Sequence, residues 1–121
     1  MILSKYHSKK VKCAAGHIHD SKKEATRCNE LMLLEKSGKI KNLRQQVRFE
    51  LIPSMKYTDM PNERPCVYIA DFVYTQGDVM FVEDTKGFKT PEYIIKRKLF
   101  KQKYCSDRYC GNLIIFKELR D

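Results

Sequence analysis

The most constraining stretch of the sequence lies between residues 66 and 86, where two β-rich runs, Cys66 to Tyr74 and Val79 to Lys86, flank Thr75-Gln76-Gly77-Asp78. A short connection holding a glycine, set between runs rich in Val, Ile, Tyr and Phe, predicts an antiparallel hairpin. Inside it stand charges that a core strand accepts only with partners: Asp71 in the first run, and Glu83-Asp84-Thr85-Lys86 closing the second. Side chains alternate across a strand, so Asp84 and Lys86 share one face while Glu83 and Thr85 take the other. A hairpin closing at Gly77 lets Asp71 approach Asp84 across the ladder. Two carboxylates with a strand carbonyl make an oxygen-rich site suited to Mg²⁺ or Mn²⁺. A hard cation there holds a phosphate and acidifies a water.

The elements around this hairpin follow from periodicity and punctuation. Val11 to Cys13 and His17 to His19 flank Ala14-Ala15-Gly16 and read as a short hairpin. From Asp20 the pattern becomes helical: Ser21-Lys22-Lys23-Glu24 fits a capping box, Glu24, Cys28 and Leu31 follow one inward stripe, and Gly38 ends the helix. Ile40 to Ile52 is a strand with one wet face, since Val47, Phe49 and Leu51 alternate with Gln46, Arg48 and Glu50. Pro53 to Pro65 has no periodicity and reads as a loop. A second helix opens at Thr90 or Pro91 and runs to about Asp107, and Leu113 to Phe116 reads as a buried strand. The expectation is one domain over residues 1–121, of α+β (or α/β) class, built around a mixed sheet flanked by helices.

Charge and cysteine usage narrow the partners. The chain carries 24 Lys and Arg against 15 Asp and Glu, a net charge of +9, which favours polyanions, with DNA or RNA first. Its longest apolar runs, Leu31 to Leu34 and Leu113 to Phe116, are far short of the roughly 18 residues a membrane span needs. Ser4 and Lys5 directly follow Met1-Ile2-Leu3, so a secretory signal is not expected and the protein is expected to stay in the cytoplasm. Five irregularly spaced cysteines read as reduced thiols rather than a disulfide framework.

Taken together, Asp71 on one strand, Asp84-Thr85-Lys86 on the next and Glu24 on a preceding helix resemble the PD-(D/E)XK nuclease superfamily. Ala70 stands where the superfamily's proline would precede Asp71. Over nearly the whole chain, Asp20-Ser21-Lys22-Lys23-Glu24-Ala25, Glu83-Asp84-Thr85-Lys86-Gly87, Pro91-Glu92-Tyr93 and Lys96-Arg97-Lys98-Leu99-Phe100 look like a family of small bacteriophage proteins in that superfamily. The layout is similar, more remotely, to phage endonuclease-I type Holliday-junction resolvases and to transposon-end-cleaving endonucleases. The resemblance implies a restriction-endonuclease-like fold and a Mg²⁺- or Mn²⁺-dependent DNA endonuclease acting on four-way junctions or other branched recombination intermediates. It also implies a homodimer and a phage-encoded protein working in the bacterial cytoplasm.

In that reading Asp71 and Asp84 are metal ligands, Glu24 completes the shell directly or through water, and Lys86 orients the attacking water and offsets developing charge. Gln46 orients a ligand or water, or else lies on a solvent face. Lys96, Arg97, Lys98, Lys101 and Lys103 hold phosphates beyond the site, and Lys5, Lys9, Lys10 and Lys12 form a second contact beside Tyr6 and His7. Each has a plainer counterpart: Glu24 as partner of Ser21 in the cap, Asp71 in a structural ion pair with Lys86, and the cations as a solvated helix face. Two other classes remain open. One is a non-catalytic nucleic-acid-binding module resting on the basic helix; the other is a domain stabilised by zinc at Cys13, His17, His19 and Cys28, against which ordinary packing of those residues is the simpler account.

Overall fold

A tight turn organises the sheet. In the computed structural model, which describes residues 11–13, 18–19, 22–105 and 113–120, β4 (Cys66–Gln76) and β5 (Val79–Lys86) are joined by Gly77-Asp78 alone. Gly77 has φ 63° and no other turn residue is positive, so glycine occupies the first loop position, the type II′ pattern that matches strand twist. The four-residue connection expected from sequence contracts to two because Thr75 and Gln76 stay in the ladder, paired with Met80 and Val79.

β3 (Lys41–Ile52) pairs antiparallel with β4, and β6 (Leu113–Arg120) pairs parallel with β5, giving a mixed sheet in the order β3-β4-β5-β6. Helix α1 (Lys22–Lys36) packs Ala25, Cys28 and Leu31 against Phe72 and Tyr74, and α2 (Pro91–Phe100) packs Tyr93 and Phe100 against Tyr68, Ala70 and Val82. Val82 and its neighbour Phe81 belong to different clusters, so the helices cover opposite faces. The result is an α+β fold of two helices on a four-stranded mixed sheet. A separate antiparallel pair, β1 (Val11–Lys12) and β2 (Ile18–His19), precedes α1.

The helix ends follow from local chemistry. Gly38, at φ 82°, closes α1 in a Schellman motif: Lys39 N–H donates to the Leu34 carbonyl and Gly38 N–H to that of Glu35, each at 3.0 Å. The capping residue Ser21 lies outside the described residues. Thr90 caps α2, its hydroxyl accepting from Tyr93 N–H at 3.1 Å, with Pro91 in the first turn. The second helix departs from expectation after Phe100, where a π turn (Lys101–Cys105) replaces α geometry and brings Tyr104 to stack on Phe100 with ring centroids 5.2 Å apart. Residues 106 and 107 lie outside the described residues.

One further expectation is corrected, and one, the loop, gains detail. The 113–116 segment is not a buried strand: β6 is an edge strand, so Ile114 is buried while Leu113 and Ile115 are exposed. The loop from Pro53 to Pro65 carries its own closure, a backbone bridge between Met55 and Glu63 and a bond from Tyr57 N–H to Asn62 Oδ1 at 2.9 Å. Among the described residues no helix is long and apolar enough to cross a membrane.

One irregularity sets up the site. In β3, Leu43 packs on the α1 side whereas Val47 and Phe49 pack on the α2 side; in β4, Tyr68 and Ala70 lie on the α2 side whereas Phe72 and Tyr74 lie on the α1 side. Strict alternation would keep each series on one face. Both strands therefore switch faces between these residues, around Gln46 and Asp71, where the pairing passes from Gln45↔Phe72 to Val47↔Ala70 and Gln46 has φ 51°.

Candidate active site

Asp71 leaves the regular ladder at that switch, and its Oδ2 accepts the Thr85 N–H of β5 at 2.8 Å. A carboxylate thus takes a bond that a strand carbonyl would take, which pins Asp71 beside the end of β5. Asp84, one residue earlier on β5, is completely buried and receives the Tyr68 hydroxyl on Oδ2 at 2.6 Å. Its other oxygen, Oδ1, is buried and accepts no hydrogen bond. Lys86 Nζ stands 3.7 Å from that oxygen and 4.8 Å above the Tyr93 ring.

Electrostatics make this arrangement unusual. Burial is the main influence on Asp84, followed by the adjacent Asp71 carboxyl, with which it can share a proton, and by the Asp71 charge; these push it up to about 8 despite Lys86 and Tyr68. Burial, reinforced by the charge of Asp84, likewise raises the Tyr68 phenol, so it stays a donor. Two carboxyl groups held together with one oxygen unsatisfied want a proton or a cation between them.

The sequence-predicted residues divide. Asp71, Asp84 and Lys86 come together, with Asp84 and Lys86 on one face of β5 as alternation requires, and the pairing partner of Lys86 is Asp84. Glu24 is buried on α1 as expected from its stripe, and Gln46 Nε2 donates to its Oε1 at 3.4 Å. Gln46 places Glu24 within one side chain of the position opposite Asp71. Among the described residues no three His, Cys, Asp or Glu side chains are grouped closely enough to hold a metal ion by themselves.

The basic helix is not one uniform face. Lys96 lines a cleft of about 320 Å³ with Tyr68, Ile69, Lys86 and Tyr93, and pairs with Glu92 at 3.0 Å. Arg97 turns to Glu118 of β6 at 2.8 Å, Lys101 lies 5.5 Å above the Phe116 ring, and Lys103 donates to the Glu50 carbonyl at 2.9 Å. Lys98 is exposed. The scatter follows from helix geometry, since at about 3.6 residues per turn neighbouring positions such as Lys96, Arg97 and Lys98 cannot share a face, and the π turn alters the direction only from Lys101 onward. Lys5, Tyr6, His7, Lys9 and Lys10 lie outside the described residues, as do His17 and the side chain of His19. Cys13 and Cys28 pack in the α1-side core, where burial and a hydrogen bond with Cys13 push the Cys28 thiol up to about 12.

Sequence reasoning missed three partners. Tyr68 and Tyr93 flank Asp84 and Lys86, and their apolar context concealed a polar role. Glu83, assigned only to the opposite face, is fully buried and held by Arg27 through Nε at 2.8 Å and Nη2 at 2.7 Å, with the Tyr74 hydroxyl donating as well. Two adjacent buried acids, Glu83 and Asp84, therefore point to opposite sides: one fully paired, the other open. The available signal for Arg27 was its place on α1 three residues from Glu24.

A family model described as "Protein of unknown function (DUF1064)" matches residues 3–115. No curated protein and no solved structure matches the chain. With nearly its whole length covered by that match, the chain belongs to the DUF1064 family.

Proposed function

We propose that this protein is a divalent-metal-dependent nuclease that hydrolyses phosphodiester bonds in DNA, with Asp71, Asp84 and Lys86 at its centre. The observation that carries the reading is the buried, unsatisfied Oδ1 of Asp84 beside a second carboxyl group and 3.7 Å from Lys86, which lines a cleft with Lys96 and Glu92. A structural carboxylate in a core is normally satisfied, as Glu83 is on the other face. Asp84 has the environment of a ligand whose cation is to be supplied.

Mg²⁺ or Mn²⁺ fits an all-oxygen donor set and would be held by Asp71 and Asp84, with Glu24 contributing through Gln46 or a water. Bound there, the ion supplies phosphate binding and a more acidic water. Tyr68 fixes the orientation of Asp84 by its bond to Oδ2, and Thr85 N–H fixes Asp71. Lys86, held over the Tyr93 ring and open to the cleft, offers an ammonium to the scissile phosphate and stabilises the charge that develops on it. Lys96 extends positive charge along the same cleft. Branched DNA is the proposed substrate and a homodimer the proposed working form, both by resemblance to junction-resolving nucleases.

The test incubates labelled four-way junctions, flaps, duplex and single strands with the protein and Asp84→Asn, in Mg²⁺, Mn²⁺ or chelator. The expected outcome is metal-dependent cleavage that falls by roughly 100-fold or more in the variant while DNA binding persists. Cleavage unchanged by Asp84→Asn removes the site assignment. The rival, a non-catalytic nucleic-acid-binding module, is favoured by one observation: the acidic pair lacks a third ligand grouped with it among the described residues. Calorimetric titration separates the two, since the module takes up no Mn²⁺ at Asp71 and Asp84.

A further inference from the structure

The face of the sheet opposite Asp84 and Lys86 holds a second cationic feature. Helix α1 packs its apolar stripe on Phe72 and Tyr74 of β4, whereas β6 lies two strands further along the sheet. Strands are about 4.8 Å apart, so β6 stands about 10 Å from β4, and a helix seated on β4 leaves the edge strand uncovered. Between them is a single cleft of about 470 Å³. One wall is the α1 stripe Lys23, Arg27 and Glu30, and the other is Lys117, Leu119 and Arg120 at the end of β6.

Arg27 is the fixed point of this cleft. Its Nε and Nη2 donate to the two carboxylate oxygens of Glu83 at 2.8 and 2.7 Å, and its Nη1 donates to Glu30 at 2.8 Å. Glu83 is completely buried in β5, so the guanidinium is held from beneath by an immobile carboxylate. A guanidinium carries five N–H groups and these bonds use three, which leaves one on each terminal nitrogen for a further acceptor. Folding has already fixed the side chain, so little rotamer entropy remains to be lost when a ligand binds.

Around Arg27 stand cations without a counter-charge. Among the described residues no carboxylate pairs with Lys23, Lys117 or Arg120, and all three are exposed. Lys117 is held on this side of the sheet by the Phe81 ring, with its Nζ 4.5 Å from the centroid. Glu30, the one acid lining the cleft, is already bonded to Arg27. Positive charge on both walls of a concave site concentrates the field there and attracts anions. The lining offers no aromatic ring to stack a base and no side-chain amide to read one. Such chemistry recognises phosphate and ignores the base, as contacts to a nucleic-acid backbone do.

We infer that the cleft between α1 and β6 is a second phosphate-binding site, in which Arg27, Lys23, Lys117 and Arg120 hold the backbone of a nucleic acid without regard to its sequence. Metal plays no part in it, so the cleft stands independently of the nuclease reading.

The experiment uses the full chain in chelator, with labelled hairpin duplexes of two unrelated sequences as probes, and reads affinity by anisotropy across a salt series. Lys23→Gln/Lys117→Gln is expected to weaken binding of both duplexes equally, about tenfold at low salt, and to lower the log–log salt slope by about 1.8, near 0.9 for each phosphate no longer neutralised. Lys23→Arg/Lys117→Arg keeps the charge and is expected to keep the slope. Lys39→Gln/Lys41→Gln removes the same charge from exposed positions between α1 and β3, outside the cleft, and is expected to change the slope by less than about 0.5. No binding of either duplex, an unaltered slope in the first variant, an equal fall in the Lys39 and Lys41 variant, or a loss confined to one sequence overturns the inference. So does polyglutamate that displaces duplex at equal charge and itself binds more weakly to the first variant, since the cleft then serves an acidic peptide. A protein that cuts DNA with Mn²⁺ yet shows none of the expected changes keeps the nuclease reading and loses the cleft, and one that shows them yet cuts nothing keeps the cleft and loses the nuclease.

Discussion

Gln46 stands opposite Asp71 at the point where β3 and β4 exchange faces, and it does so with φ 51°, a conformation that costs a non-glycine residue about 1 kcal/mol. Such a cost persists where it is offset by function or packing. Here the strained residue reaches buried Glu24 with its amide, and the switch it creates turns Asp71 out of the ladder toward Asp84.

Gln46→Gly is accordingly expected to relieve the strain, leaving stability equal or up to about 1 kcal/mol higher, and, on the proposed nuclease reading, to lower cleavage roughly tenfold because no amide reaches Glu24. Gln46→Ala removes the same amide and keeps the strain, so it unfolds at lower denaturant than Gln46→Gly. Urea titrations of the three proteins, read beside their cleavage rates, check this. An alanine variant as stable as the glycine variant would remove strain from the account.

Tyr68→Phe deletes the one hydrogen bond that Asp84 accepts from a side chain. Expected are a loss of about 1–2 kcal/mol in chelator, from an uncompensated buried acid, and, for the proposed metal site, a fall of at least about tenfold in Mn²⁺ affinity, because Asp84 is no longer held in place. Calorimetry gives the affinity directly. In the Asp84→Asn background the stability effect of Tyr68→Phe should shrink, because the two residues act as a pair.

On the opposite face, Arg27→Met leaves Glu83 fully buried without its cation and is expected to cost about 3 kcal/mol. Adding Glu83→Gln should restore most of that loss, since a neutral amide needs no counter-charge. Equilibrium unfolding of the single and double variants decides it. A double variant as unstable as the single one would show that packing of Arg27, not charge pairing, matters.

Glu118 supplies a pH signature. Burial works to raise its carboxyl, but hydrogen bonds from Tyr93, Lys89 and Arg97 prevail and hold it down to about 2, from an ordinary value of 4.5. A depressed folded-state value means that the unfolded chain binds the proton more readily, so this contribution is complete above about pH 4.5 and is lost as pH falls towards 2. Thermal midpoints of the protein and Glu118→Gln should differ at pH 6 and converge as the solution is acidified over that window. A constant difference would assign the effect to shape instead of charge.

The positions of the candidate site residues were legible in sequence wherever local rules govern them. Period-two alternation alone places Asp84 and Lys86 on one face and Glu83 on the other, and Gly77, Gly38 and Thr90 mark a turn, a helix end and a helix start through backbone and capping preferences that need no distant contact. The α+β class follows from the order of those elements. What only the tertiary structure decided are relations between segments far apart in the chain, the bond of Tyr68 to Asp84 and the clamp of Arg27 on Glu83, together with two irregularities, the π turn after α2 and the face switch at Gln46 and Asp71. Sequence patterns report the average periodicity of an element. A face switch or π turn is a local departure from that periodicity, stabilised by side chains packed from other elements, so nothing local in the sequence announces it.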